Sequence, residues 1–218
     1  FSDGGQYSDI DAAVRAGLNM VPQGADIVDV GGESTRPGAG VVPWQQEIDR
    51  TVPIITGIRN ASDVCISIDT RKALVAGAAL AAGANMVNDV SALGYDAGLC
   101  RVVRDASAPV CLMHAQGDPK TMQQSPEYSD VLLDVYDYLK LRIKAAVSAG
   151  IARENIVVDP GIGFGKTLDH NLEILRGISL FHGLGCPIML GASRKRFIGT
   201  LGNAPQPADR MAGSVALT

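Results

Sequence analysis

The feature that most constrains this chain is an alternation. Short β-branched or apolar runs at residues 26–30, 64–69, 86–90, 109–114, 155–159 and 187–191 are separated by helix-length amphipathic segments at 9–23, 43–59, 72–82, 97–106, 128–149 and 168–181. Several of these segments stop at glycine, at Gly24, Gly83 and Gly150, the residue that tolerates a left-handed cap. Strands that read as apolar runs between helices are buried on both faces, and a βαβα order builds a parallel sheet. That sheet can be open or closed.

The placement of polar residues favours closure. Asp29 leads into Glu33, Ser34, Thr35 and Arg36, and Asp69 leads into Thr70 and Arg71. Asn88 and Asp89 follow Val87, His114 precedes Gln116, Asp159 ends the fifth run, and Ser193, Arg194 and Lys195 follow the sixth. A (β/α)8 barrel gathers all its strand C-termini on one face, whereas an open sheet concentrates its ligand at one switch point. Polar residues at nearly every strand end therefore predict a TIM (β/α)8 barrel. A full barrel runs to about 250 residues and eight strands. A chain of 218 residues with six strand runs is accordingly expected to be truncated at both ends, with strand one before Phe1 and strand eight after Thr218. No composition break divides it, so residues 1–218 read as one incomplete domain.

Composition narrows the partners. Nineteen Lys and Arg against 23 Asp and Glu give a net charge of −4, so no overall basic field exists to hold nucleic acid or an anionic membrane. Arg36, Arg71, Arg194, Lys195 and Arg196 are nonetheless all expected at the rim, a locally basic mouth suited to a phosphorylated or carboxylated substrate. The cysteines at 65, 100, 111 and 186 fit neither a CxxC pair nor a secreted disulfide framework. No apolar run is long enough to span a bilayer. The expectation is a soluble, cytoplasmic protein with reduced thiols.

The segment DPGIGFGKT at residues 159–167 invites a nucleotide-binding reading and does not sustain one. A P-loop needs GxxxxGK[ST], and the register ending at Gly165, Lys166 and Thr167 puts Pro160 where the first Gly belongs. A GxGxxG fingerprint starting at Gly161 would need Gly where Lys166 stands. What remains is a Gly-rich turn after a strand, able to bring backbone and Phe164 close to a ligand held by Asp159. That carboxylate ends an apolar strand, where it is costly to leave unpaired. Either a heterocycle presenting adjacent N–H groups, such as a pterin or guanine edge, or a neighbouring Lys or Arg would satisfy it. His114, His170 and His182 lie near no nucleophile elbow, and Cys111 and His114 point to opposite faces of one strand, so neither a Ser-His-Asp triad nor a zinc site is expected.

The segment GADIVDVGGESTRPG at residues 24–38 resembles a signature of the dihydropteroate synthases. The segment FSDGG at residues 1–5 resembles the tail of that family's other signature. SIDT (67–70), VNDV (87–90), CLMH (111–114), DPGIGFGK (159–166) and SRK (193–195) follow in family order. The resemblance implies an enzyme of folate biosynthesis, a transferase. It joins 6-hydroxymethyl-7,8-dihydropterin diphosphate to para-aminobenzoate, releasing pyrophosphate and forming 7,8-dihydropteroate. It also implies Mg²⁺, a homodimer and sulfonamide inhibition. Carried over residue by residue, Asp159 and Asn88 hydrogen-bond the pterin, Asp69 and Lys195 complete its polar contacts, and Met113 packs nearby. Thr35 and Arg36 lie near the diphosphate, and Phe164, Pro37 and Lys195 form the aminobenzoate pocket. Lys195, Arg36 and Asp69 are the catalytic residues.

Departures from the family pattern also carry expectations. The metal-linked Asn of the first signature would precede Phe1, and the Arg-x-His that contacts diphosphate would follow Thr218. Arg196 stands where many members have Ser, so the aminobenzoate carboxylate is expected to meet backbone N–H groups at a helix start, with Arg196 assisting. No insertion interrupts Gly163, Phe164 and Gly165, which implies a sulfonamide-sensitive pocket. Two alternatives remain open: a pterin-binding methyltransferase acting on methyltetrahydrofolate, and an inactive pterin-binding module.

Overall fold

The computed structural model describes residues 9–34, 39–117 and 126–217. Its five parallel strands are β1 (Ile27–Gly31), β2 (Cys65–Asp69), β3 (Met86–Asp89), β4 (Val110–Met113) and β5 (Ile156–Asp159), lying side by side in chain order. The helices are α1 (Ile10–Met20), α2 (Trp44–Ala61), α3 (Ala73–Ala81), α4 (Leu99–Asp105), α5 (Val131–Ser148), α6 (Leu168–Arg176), α7 (Arg196–Leu201) and α8 (Met211–Val215). The strand order never reverses, so this sheet has no switch point of the open doubly wound kind. α1 packs on α2, α2 on α3, α3 on α4, and α5 on α6. One unreversed sheet wrapped by a single helical layer is the wall of a (β/α) barrel.

Period-two alternation decides what each face carries. Val28, Val30, Ile66, Ile68, Val87, Val110, Leu112, Ile156 and Val158 belong to one core with Ile55, Ile58, Val75, Leu99, Val103 and Leu139 of the helices. The intervening residues, Asp29, Ser67, Asp69, Asn88, Cys111, Met113 and Asp159, therefore face the barrel axis. Apolar burial against the helices fixes the register, and a slip of one residue would exchange the two sets.

Two elements differ from expectation. Residues 187–191 run parallel to β5 as a sixth strand would, but they pair only at Val158 with Ile188. The Val158 N–H donates to the Pro187 carbonyl (2.9 Å) and the Met189 N–H to the Val158 carbonyl (2.8 Å). Pro187 has no N–H to extend the ladder, and beyond Met189 the Ala192 N–H turns back onto the Leu190 carbonyl (3.1 Å). The expected helix over residues 168–181 stops at Gly177, followed by a 3-10 helix over Ile178–Leu184. A Cβ on Gly177 would lie 2.6 Å from Cδ2 of Leu132 on α5, so a larger residue there would have to push that side chain aside. The helix-ending glycines do adopt left-handed φ angles, 103° at Gly24, 110° at Gly83 and 96° at Gly150.

Charge holds the first loops to the wall. Lys72, 8% exposed, donates to Glu33 (2.7 Å), Glu47 (2.5 Å) and the Val42 carbonyl (2.8 Å). Glu33 also accepts from the Val42 N–H (2.8 Å) and Arg71 Nε (3.1 Å), and Glu47 accepts from the Thr70 hydroxyl (2.6 Å). Burial opposes ionisation of Glu33, yet the Lys72 and Val42 hydrogen bonds outweigh it and hold the carboxyl below its usual range. Burial likewise opposes charge on Lys72, but its two glutamates raise its pKa above the ordinary value. Both ends of the segment between Glu33 and Val42 are thus tied to one ammonium. Lys72→Met, which leaves two carboxylates buried without their cation, is expected to cost about 3–5 kcal/mol of stability, read from urea unfolding midpoints and slopes.

Candidate active site

The axial side chains meet at the C-terminal ends of the strands. Asp69 pairs in register with Asn88, Asn88 with Cys111, and Met113 with Asp159, so the row climbs across four strands. Asn88 Nδ2 lies 3.5 Å from an Asp29 carboxylate oxygen. Asp69 is buried and its Oδ2 has no hydrogen-bond partner among the described residues. Burial, and then the carboxylates of Asp29, Asp89 and Glu47, push Asp69 well above the usual carboxylate range. Asp89, which sequence placed beside Asn88 as a polar strand end, instead holds the next turn through the Ser91 N–H (2.8 Å) and Leu93 N–H (2.6 Å).

Asp159 is buried at the end of β5 and accepts the Gly161 N–H (2.7 Å). Burial raises its pKa, and the nearby Lys195 opposes that rise without cancelling it. Lys195 donates to the Ile162 carbonyl, and its ammonium lies 4.6 Å from the centroid of Phe164. Burial lowers its pKa to about 8, against the pull of Asp159. A Cβ on Gly191 would sit 3.4 Å from Asp159 Oδ2 and 3.6 Å from Lys195 Nζ, so both groups flank the same bare stretch of backbone.

Beneath this pair the Gly-rich loop is pressed onto the end of β4. A Cβ on Gly161 would fall 1.8 Å from the His114 carbonyl oxygen, and one on Gly165 2.5 Å from that of Gln116. Both glycines have positive φ, 71° and 60°, so no other residue suits either position. Lys166, 3% exposed, donates to the Gly161 carbonyl (2.9 Å) and the Phe164 carbonyl (3.0 Å), and meets His114 Nδ1 at 2.9 Å. Burial, and then the Lys166 charge, lower the pKa of His114 to about 3, so the ring is neutral and Nδ1 can accept. The Asn171 side-chain oxygen accepts the Gly163 N–H (2.7 Å).

The structure therefore brings together Asp69, Asn88, Met113, Asp159, Phe164 and Lys195. Thr35, Arg36 and Pro37, and the FSDGG segment, lie outside the described residues. Arg196 is exposed at the first position of α7. The expected basic mouth is narrower than five cations, because Arg71 is committed to Glu33 (3.0 Å) and stacks over Tyr95, 4.0 Å from the ring centroid. Cys111 faces the axis, where burial pushes its thiol well up. Among the described residues no group of three or more His, Cys, Asp or Glu could hold a metal ion. Sequence reasoning missed the roles of Lys166, His114 and Asn171; the only signal was a lysine closing a Gly-rich loop.

A pterin binding enzyme family model matches residues 1–218. A dihydropteroate synthase of Clostridium beijerinckii is 45% identical over 218 residues, covering 100% of this chain and 78% of that protein. The chain belongs to the dihydropteroate synthase family of pterin-binding enzymes. Its Escherichia coli K12 relative of the same name is 43% identical over 99% of this chain and 76% of that protein. A Yersinia pestis dihydropteroate synthase, solved as a sulfonamide drug complex, superposes with a TM-score of 0.96 at 43% identity, covering all of this chain and 78% of that one. A Xanthomonas albilineans dihydropteroate synthase in complex with 7,8-dihydropteroate gives 0.87 at 40% identity, covering 77% of that chain. These likenesses agree with the barrel wall described above.

His114 gives the site a pH signature. Its pKa falls from 6.5 to about 3 on folding, so between those values the unfolded chain binds more protons and stability rises with pH. On acidification from 6.5 toward 3 this contribution is lost. His114→Asn, which keeps an acceptor for Lys166 but does not titrate, is expected to flatten the slope of unfolding free energy against pH from 6.5 to 5, followed by urea denaturation.

Proposed function

We propose that this chain carries the site of a dihydropteroate synthase, joining 6-hydroxymethyl-7,8-dihydropterin diphosphate to para-aminobenzoate with release of pyrophosphate. The observation that carries the reading is the axial row of Asp69, Asn88 and Asp159, buried acceptors and an amide aimed at one space, with Lys195 and Phe164 beside them. Among the described residues Asp159 has one backbone donor and no ion pair within 4 Å. A pterin edge with adjacent N–H groups offers such a carboxylate two parallel hydrogen bonds.

The chemistry follows from charge. As diphosphate leaves, positive charge grows on the pterin and negative charge on the leaving group. The ring lies against fixed carboxylates, and the Lys195 ammonium faces the same space, so both developing charges are stabilised by groups already in place. An aryl amine needs no strong base, which agrees with three histidines that are buried against Lys166, used in a helix cap or exposed. Phe164 supplies a flat apolar wall for the aminobenzoate. In this proposal Thr35 and Arg36 serve the diphosphate and the incoming amine and Pro37 the aminobenzoate, while Arg196 and the backbone at the start of α7 meet the carboxylate.

Mg²⁺ enters this reading with the substrate. Mg²⁺ commonly stays with phosphate oxygens and water, where it would offset charge on the diphosphate. The homodimer, the cytoplasmic setting and sulfonamide competition with aminobenzoate belong to the same reading. They are supported by family membership and, for the sulfonamide, by the Yersinia pestis relative solved as a sulfonamide drug complex. The methyltransferase alternative leaves the Ser193, Arg194 and Lys195 segment without a role.

The direct test is pyrophosphate release from the pterin diphosphate by the full-length protein with Mg²⁺. Release that depends on para-aminobenzoate is expected; a folded protein that binds pterin and releases none would end the synthase reading. Asp159→Asn is expected to weaken pterin binding by about 1.5–3 kcal/mol, the scale of a hydrogen bond to a charged group, as read by calorimetric titration of the folded variant.

A further inference from the structure

We propose that Lys166 is a positioning residue of this site: its ammonium grips the Gly-rich loop from beneath, through the Gly161 and Phe164 carbonyls, and thereby places Asp159 and Lys195 above it. The role of those two groups rests on the synthase reading; the grip itself rests on geometry.

The loop touches the site at three points. Its Gly161 N–H holds one oxygen of Asp159 (2.7 Å), its Ile162 carbonyl accepts from Lys195, and its Phe164 ring lies 4.6 Å from the same ammonium. Each contact depends on where the loop backbone sits. From below, the loop presents the Gly161 and Phe164 carbonyls to the interior, and a buried carbonyl without a donor is costly. An ammonium has three donors and no fixed plane. That suits the three near acceptors around Lys166, Gly161 O, Phe164 O and His114 Nδ1, all within 3.0 Å, with the His114 carbonyl farther off at 3.5 Å. His114 is itself anchored, because its backbone N–H donates to the Asp159 carbonyl (2.9 Å). Lys166 thus links the ends of β4 and β5 to the turn between Asp159 and Phe164. Lying 3% exposed beneath that loop, it acts through it.

The test uses the full-length protein and the variants Lys166→Met, which offers no donor, and Lys166→Gln, whose amide retains two. Steady-state constants for aminobenzoate, calorimetric affinity for a pterin ligand and the thermal midpoint are measured together. In Lys166→Met the aminobenzoate KM is expected to rise, and pterin affinity to fall, by about ten-fold or more, since small misplacements of binding groups are costly. Lys166→Gln recovers part of both. A variant that is merely partly unfolded loses apparent kcat with KM unchanged, so this outcome overturns the proposal. So do constants within about two-fold of the wild type, and so does failure of both variants to fold, which would make Lys166 a residue of general stability. Absence of aminobenzoate-dependent release by the wild-type protein refutes the synthase reading instead, and the pterin titration then still decides the role of Lys166.

Discussion

The geometry of the loops depends on lysine ammonium groups held among buried acceptors. Lys72 stands between Glu33 and Glu47, which belong to the loop after β1 and to α2, and its own backbone follows β2. Replacing such a group with hydrocarbon is often neutral for stability when all partners are replaced, but removing one partner is not. The value of the arrangement here is placement. It joins three consecutive chain segments at the barrel mouth and ties both ends of the segment between Glu33 and Val42, which includes Arg36, to a rigid wall.

Lys166 uses different chemistry for a similar end. Lys72 binds carboxylates, and its charge is reinforced; Lys166 binds carbonyls and a neutral imidazole, and burial brings its pKa down to about 7. The first arrangement holds loops to helices and the second holds a turn to the strand beside it. Between them the axial face keeps acceptors that the described residues leave largely unmatched. Among those residues Asp69 has an oxygen without a partner, and Asp159 has a single backbone donor. A ligand that supplies N–H groups completes them, so affinity and orientation arise together.

Much of this was legible in the sequence, for a definite reason. Strands packed against helices must be apolar on that side, so the βα alternation appears as spaced runs, and the axial acids interrupt those runs where the strands end. That made Asp69, Asn88 and Asp159 visible. Which face they occupy required the register, in which Asp69 stands opposite Asn88 and Met113 opposite Asp159. Lys72 and its carboxylates are 39 and 25 residues apart, and no local pattern reports a contact at that range. Arg71 looked like part of the mouth from its position after β2, yet Glu33 and Tyr95 claim it. Lys166 was obscured by its setting: a lysine after glycines suggests phosphate, whereas here its acceptors are the loop's own carbonyls. Residues 187–191 have strand composition, but Pro187 and the turn at Ala192 limit their pairing to one residue.

The contact between the Gly-rich loop and the end of β4 has an evolutionary consequence. At Gly161 and Gly165 even a methyl group would collide with backbone oxygen, so point substitution at these positions cannot retune the pocket without moving a strand. Adaptation to a new ligand or evasion of an inhibitor must instead come from side chains that face the pocket, from neighbouring loops, or from a change in the length of this one.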